Sequence, residues 1–218
     1  ADDGIPDAQE SRGLGDVYKR QAIAGNIGAG KTTLTEMLSK HYGWEPHYED
    51  VLKNPYLDDF YERMERWSFN LQIYFLNSRF NQMIECSKNK KDTIQDRTIY
   101  EDVEIFAKNL HDLGNISDRD YENYSGLFSV MVSYLKKPDL IVYLRASTDT
   151  LLSRLEKRGR DYEGSISPEY LDSLNISYDR WINSEKNYPV LIVETDDFNI
   201  FDDLHQVQEI QDMILDRI

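Results

Sequence analysis

The stretch Gly25-Asn26-Ile27-Gly28-Ala29-Gly30-Lys31-Thr32 has the spacing GxxxxGK[ST]. It lies between a short apolar run, Ala22-Ile23-Ala24, and a helical pattern, which is the context such a loop needs to hold phosphate. Glycines let the backbone wrap closely around phosphate oxygens. The loop's N–H groups and the N-terminus of the following helix present fixed positive dipoles to an anion. Lys31 supplies a mobile charge for the β- and γ-phosphates, and the Thr32 hydroxyl is a ligand for Mg²⁺. By itself the loop implies a nucleoside triphosphate, a ligand shared by kinases, switches and motors.

Ligands of an open parallel sheet bind beyond the carboxyl ends of its strands. The residues that follow each strand candidate therefore carry the next inference. Glu49-Asp50 follows the second and Asp96-Arg97 the third. Arg145 follows the fourth and, one helix later, come Arg154, Arg158 and Arg160. A carboxylate, an Asp-Arg pair and an arginine-rich loop beside a triphosphate suit phosphoryl transfer to an alcohol. The carboxylate takes the hydroxyl proton, a metal and guanidiniums hold the moving charge, and a lid excludes water. Two strings resemble guanine-switch signatures, Asn89-Lys90-Lys91-Asp92 and Asp161-Tyr162-Glu163-Gly164. They occur in the wrong order, and the first precedes its strand instead of following one.

A scaffold for these side chains is legible in the periodicity. Strand candidates lie at 22–24, 44–48, 93–96, 139–146 and 190–194, of which 22–24 and 139–146 are apolar runs. Between them lie helical patterns. Leu34, Met37 and Leu38 belong to the first, which Gly43 stops. Asn54-Pro55 opens a second helical stretch. Residues 67–89 read as one long helix with Leu71, Tyr74, Phe75, Ser78 and Gln82 near one face. Helices are expected at 101–113, at 117–136 with Ser117 as cap, at 147–157, from Ser167-Pro168 onward, and at 201–218. The charged stretch 158–166 reads as a loop. Alternating strands and helices imply an α/β fold of three layers, a five-stranded parallel sheet flanked by helices.

The chain has 218 residues, with 25 Lys plus Arg against 40 Asp plus Glu and a net charge of −15. That balance excludes a binder of nucleic acid polymers, which needs a basic footprint. It leaves room for small phosphorylated ligands, which need only a local positive pocket. No apolar run approaches the ~18 residues of a membrane span, and residues 1–20 lack the apolar stretch of a signal peptide. One cysteine, Cys86, leaves no internal disulfide and suits a reducing compartment. The expectation is a cytoplasmic protein without a membrane partner. Residues 1–15 show no periodicity. Asp16-Val17-Tyr18-Lys19-Arg20-Gln21 is the translation of a transposon-end adapter used in sequencing libraries, so 1–21 is set aside as a disordered or non-native tail. One domain, 22–218, remains, although its first strand would then begin on polar residues.

From Ala22 to the C-terminus the chain resembles the deoxynucleoside kinases, the family of deoxycytidine, deoxyguanosine and bacterial deoxyadenosine kinases. GNIGAGKTT, ending at Thr33, is that family's form of the P-loop. Glu49 sits where the family has its catalytic base. Glu65-Arg66-Trp67-Ser68-Phe69 with Gln72 looks like its nucleoside-binding helix. Asp96-Arg97-Thr98 matches its DRS/ERS element, with Thr in place of Ser, and Arg158-Gly159-Arg160 with Glu163 looks like its lid.

The resemblance implies a P-loop kinase fold with a lid loop, ATP and Mg²⁺ as cofactors, and a homodimer. It implies that Glu49 deprotonates the sugar 5′-hydroxyl and that Arg97 binds Glu49 and the transferring phosphoryl group. Residues 25–33, including Lys31 and Thr33, hold the ATP phosphates. Asp96 holds Mg²⁺ with Thr32, and Arg154, Arg158 and Arg160 close over the phosphates. Tyr61 and Glu163 bind the 3′-hydroxyl. Gln72 reads the base edge, Arg79 and Asp102 reach its far side, and Phe106 stacks on it. Members with Arg and Asp at positions like 79 and 102 accept purines or cytosine, so deoxyadenosine or deoxyguanosine is expected ahead of thymidine. The alternative is a monophosphate kinase of the thymidylate type. Spacing fits the first reading: Gln72 and Arg79 are seven apart, and Asp102 and Phe106 four apart, on shared helix faces.

Overall fold

Strand β1 (Arg20–Gly25) needs a neighbour on each side because both of its edges carry unpaired backbone groups. In the computed structural model, which describes residues 19–49, 51–88, 90–184, 188–197 and 204–217, it finds them in β3 (Thr93–Asp96) and β4 (Leu140–Arg145). The outer strands are β2 (Glu45–His47) and β5 (Val190–Glu194). All pairs are parallel and the order is β2-β3-β1-β4-β5. The five-stranded parallel sheet expected from the sequence is therefore present. Ile23, Ala24, Leu140, Ile141 and Val142 lie in the sheet's centre fully out of water. Such apolar runs are what a sheet covered on both faces requires.

The expected tail at 1–18, Asp50 and Asn89 lie outside the described residues. Arg20 and Gln21, set aside with the tail, are instead part of β1. Pairing needs only backbone: the Arg20 N–H donates to the Asp139 carboxylate at 2.7 Å, and Gln21 sits opposite Ile94 and Leu140. The Gln21 side chain is the misfit. It is buried, and neither its amide oxygen nor its nitrogen has a partner. Replacing it by Val removes two unsatisfied groups from the core. Gln21→Val is expected to stabilise the fold by about 1–2 kcal/mol. A thermal melt reads this as a rise of roughly 2–4 °C per kcal/mol.

Helix α1 (Lys31–Tyr42) ends at Gly43, whose left-handed backbone supplies the stop. Past β2 and a 3₁₀ turn (Val51–Lys53) come α2 (Leu57–Glu62) and α3 (Met64–Lys88). The long helix thus starts three residues before its expected position. Its buried stripe is also not the one periodicity suggests: Ser68, Leu71, Gln72, Leu76, Arg79, Met83 and Cys86 are buried, whereas Ser78 is exposed. The stripe is partly polar because Gln72 and Arg79 face a cavity while its apolar members pack into the core.

The segment after β3 is a single bent helical run. Its parts are α4 (Ile99–Glu101), a π-helical turn (Asp102–Ala107) and α5 (Lys108–Asp112). The π turn was not legible in the sequence, and such turns concentrate at functional sites. Helices α6 (Asp118–Val132) and α7 (Thr148–Arg158) start on Ser117 and Ser147, whose side chains accept from Asp120 N–H and Thr150 N–H. Helix α6 ends at Val132, four residues short of its expected end. Helix α8 (Pro168–Ser184) opens on Pro, whose missing N–H costs nothing there. A 3₁₀ turn (Asp161–Ser165) joins α7 to α8, and α9 (Leu204–Leu215) closes the chain.

Candidate active site

Two cavities open at the carboxyl ends of the strands. The first is walled by Lys31, Thr32, Glu49, Tyr61, Gln72, Arg79, Asp96, Arg97, Asp102, Phe106, Arg158, Arg160 and Glu163, together with Ile27 and Gly28. Every residue expected on the substrate side is therefore brought to one place. The second is lined by Gly28–Thr33, Arg154, Arg158 and the loop after β5, Thr195, Asp196 and Asp197. Lys31, Thr32 and Arg158 stand in both walls, so the two cavities meet at the glycine-rich loop. Gly25 and Asn26, expected in the phosphate cradle, line neither. Their polar groups serve the fold. Gly25 N–H donates to Glu101, and the Asn26 amide donates to the Leu171 carbonyl at 2.9 Å and to Asn175 Oδ1 at 2.8 Å.

The loop is shaped by close packing. A side chain on Gly25 would meet the Leu144 carbonyl at 2.9 Å. Gly30 precedes α1 with φ +99° and offers no side chain to cap it. The first-turn amides of α1 are thus left for an anion. Lys31 is buried and its ammonium donates to the Asn26 carbonyl at 2.9 Å. Burial, then the Arg97 charge, pulls its pKa down to about 8.

Glu49 sits two residues beyond β2, and each of its oxygens is held by a different guanidinium. Arg79 Nη2 donates to Oε1 at 2.6 Å and Arg97 Nε donates to Oε2 at 2.9 Å. Burial pushes the carboxyl up, but the two arginines outweigh it and hold it below the ordinary carboxylate range. Arg79 also donates through Nε to Asp102 at 2.6 Å. Burial raises Asp102 to about 6 in spite of that contact. Arg97 lies over the Phe106 ring at 4.4 Å.

Thr32 and Asp96 meet at the floor. The hydroxyl donates to Asp96 Oδ2 at 2.5 Å, while Asp96 Oδ1 is buried without a partner. The Gln72 amide oxygen is likewise buried and unpartnered in the wall of the first cavity. Two such atoms in one cleft are acceptors awaiting donors, since an unsatisfied buried polar group costs about 1–3 kcal/mol. At the rim, Arg158 grips Glu163 with a fork, Nε to Oε2 at 2.9 Å and Nη2 to Oε1 at 2.5 Å. Arg154 donates to the Ala29 carbonyl and to Thr195, bridging the glycine-rich loop to the end of β5.

Several wall residues were missed. Val51, Leu57, Phe60, Leu71, Phe75 and Tyr170 complete the first cavity. Only the polar stripe on α3 signals which of its apolar neighbours face the cavity. Thr195 and Asp196 follow the fifth strand, and the rule about strand ends, applied once more, finds them.

A profile of the deoxynucleoside kinase family matches residues 22–218. The deoxyadenosine/deoxycytidine kinase of Bacillus subtilis (strain 168) is 40% identical over 194 residues, 88% of this chain and 89% of that protein. The deoxyguanosine kinase of the same organism is 41% identical over 162 residues, 72% of this chain and 75% of that protein. A solved structure of deoxyadenosine kinase from M. mycoides with bound dATP superposes with a TM-score of 0.80 at 33% identity. The match covers 90% of this chain and 99% of that one.

Proposed function

The chain belongs to the deoxynucleoside kinase family, and from that premise we propose that it transfers the γ-phosphoryl group of ATP to the 5′-hydroxyl of a deoxynucleoside. Deoxyadenosine and deoxyguanosine are the favoured acceptors, with deoxycytidine next. The carrying observation is the union of an acceptor cavity holding Glu49, Gln72, Arg79, Arg97 and Asp102 with a donor cavity at Lys31, Thr32 and Arg158. A monophosphate acceptor of the thymidylate type is not favoured, because the curated relatives are deoxyadenosine, deoxycytidine and deoxyguanosine kinases. The test is γ-phosphoryl transfer to deoxyadenosine, deoxyguanosine, deoxycytidine and thymidine. Inactivity of the folded protein on all four ends the reading.

The roles that the family resemblance implies are supported by where the two cavities place these side chains. The 5′-hydroxyl lies against Glu49, which accepts its proton late, because phosphoryl transfer passes through a loose transition state that asks little of the nucleophile. Arg97 joins Glu49 to the moving phosphoryl group. Lys31 and the amides of residues 28–33 hold the donor phosphates, and Arg158 and Arg160 close from the rim. Arg154 fixes the donor cavity's far wall. Tyr61 and Glu163 take the 3′-hydroxyl, and Phe106 covers one face of the base. Gln72 meets the base edge with one acceptor and two donors, with Arg79 and Asp102 beyond it.

Among the described residues no cluster of three His, Cys, Asp or Glu side chains could hold a metal alone. Thr32 and Asp96 nonetheless fit Mg²⁺, a hard ion that is usually held by one or two carboxylates together with substrate phosphates. The unpartnered Asp96 Oδ1 is an oxygen donor of that kind. Bound there, the ion would neutralise charge on the β- and γ-oxygens.

The same reading carries a cytoplasmic homodimer that binds no nucleic acid polymer. Leu127, Val130 and Tyr134 expose an apolar strip on and just after α6 for a second copy, the net charge is −15, and Cys86 is a free thiol. Among the described residues no helix is long and apolar enough to cross a membrane.

Gln72→Ala isolates base reading from chemistry. Its loss removes a contact made equally in ground and transition state, so KM for the nucleoside is expected to rise about tenfold with kcat within about twofold. Steady-state kinetics on deoxyadenosine checks it; a fall confined to kcat contradicts it.

A further inference from the structure

Two completely buried side chains beneath the cleft, Glu101 and Tyr178, take no part in the roles above. Glu101 belongs to a capping box. Its backbone N–H donates to Thr98 Oγ1 at 3.1 Å, and its Oε2 accepts from the Thr98 N–H at 2.7 Å. That box uses one carboxylate oxygen. The other, Oε1, accepts from the Gly25 N–H at 3.2 Å and lies 2.6 Å from the Tyr178 hydroxyl. Arg97 Nη1 stands 3.5 Å from it. A capping box needs no burial, and taking a carboxylate fully out of water is costly unless its remaining lone pairs are met. Capping alone therefore does not account for Glu101.

Tyr178 supplies the rest. Its oxygen accepts from Arg97 Nη1 at 3.1 Å, and its single proton has two acceptors in reach, Glu101 Oε1 and the Gly25 carbonyl at 2.8 Å. The ring cannot drift, since it stacks on Tyr143 of β4 with centroids 5.4 Å apart and planes at 12°. Arg97 is thus fixed at both ends of its fork, Nε on Glu49 and Nη1 on Tyr178. Among the described residues it is also the one non-glycine with positive φ, +80°. Backbone strain of that kind persists only where the surroundings over-determine it.

Resting on the role given to Arg97 above, we propose that Glu101 and Tyr178 are positioning residues for phosphoryl transfer. They lock the Arg97 guanidinium to Gly25, the first residue of the phosphate loop. The Glu49 carboxylate on the acceptor side and the phosphate cradle on the donor side are thereby kept in one register. Misplacement of reacting groups by about 1 Å can cost about a hundredfold in rate, so a rigid link between the two halves has kinetic value.

Tyr178→Phe keeps the ring and removes the hydroxyl. Its kcat is expected to fall about 10–30-fold, with KM for deoxyadenosine and for ATP within about threefold. In an Arg97→Lys background the same change is expected to lower kcat by less than about twofold, because its effect runs through Arg97. An equal loss in both backgrounds, or a change in KM alone, marks mere packing and overturns the proposal. So does a Tyr178→Phe enzyme with the wild-type kcat, and neither result touches the kinase reading, which wild-type turnover decides. Should Tyr178→Phe fail to fold, Glu101→Gln takes its place in the same comparison. Gln preserves a capping box, but its amide nitrogen then faces the Gly25 N–H, donor against donor.

Discussion

Glu49→Gln is expected to lower kcat by about 10²–10⁴, the usual worth of a positioned general base, while KM for the nucleoside moves by less than about threefold. The substitution keeps the shape and the acceptor oxygen that meets one guanidinium, and removes the charge that takes the proton. Each arginine it faces has a second anion: Arg79 reaches Asp102, and Arg97 lies 3.5 Å from Glu101. The cluster therefore survives and the protein should fold. The two arginines hold Glu49 anionic throughout the physiological range, so it is always ready and only weakly basic. A weak base is adequate when bond formation to the nucleophile lags behind departure of the leaving group. Turnover within threefold of wild type, measured at saturating ATP and deoxyadenosine, would remove Glu49 from the proton's path and leave it as a counter-ion for the arginines.

What could be read from sequence depended on how local each signal is. The phosphate loop is eight consecutive residues whose spacing states its own geometry, and all but its first two line a cavity. Gly25 and Asn26 escaped because their task is to join α8 and Glu101, partners some 76 to 149 positions away. Strand β4 was legible as an apolar run because both faces of the sheet are covered, whereas β3, Thr93–Asp96, has a single apolar residue, Ile94. Periodicity failed on α3 for a related reason. A stripe that faces a cavity carries Gln72 and Arg79 among Leu71 and Leu76, so a hydrophobic count rotates the expected face. Those two residues were located by family resemblance, not by pattern. The π turn at Asp102–Ala107 and the left-handed Arg97 follow from tertiary contacts and leave no local mark.

Lys31→Met should separate function from stability in opposite directions. The ammonium is the one mobile cation of the phosphate loop, and donors aimed at developing charge are worth about 10²–10³ in rate. kcat/KM for ATP should fall by at least that factor. Stability should not fall with it. Burial, reinforced by Arg97, lowers the folded pKa of Lys31 to about 8, against 10.5 for the ordinary side chain. The protonated form is thus disfavoured by folding, at a cost of order 3 kcal/mol below pH 8. Methionine fills the same stem without that charge, so the nucleotide-free variant should melt no lower than wild type at pH 7. As pH rises from 8 toward 10 the folded wild type sheds the proton while its unfolded chain keeps it. Wild-type stability then rises relative to the variant, and the gap narrows. Saturating ATP stabilises a specific binder by about 2.7 kcal/mol at a hundred times Kd, and the variant should lose most of that shift. A variant that keeps both the ATP-induced shift and turnover within tenfold would make Lys31 a pin for the Asn26 carbonyl and not a phosphate ligand.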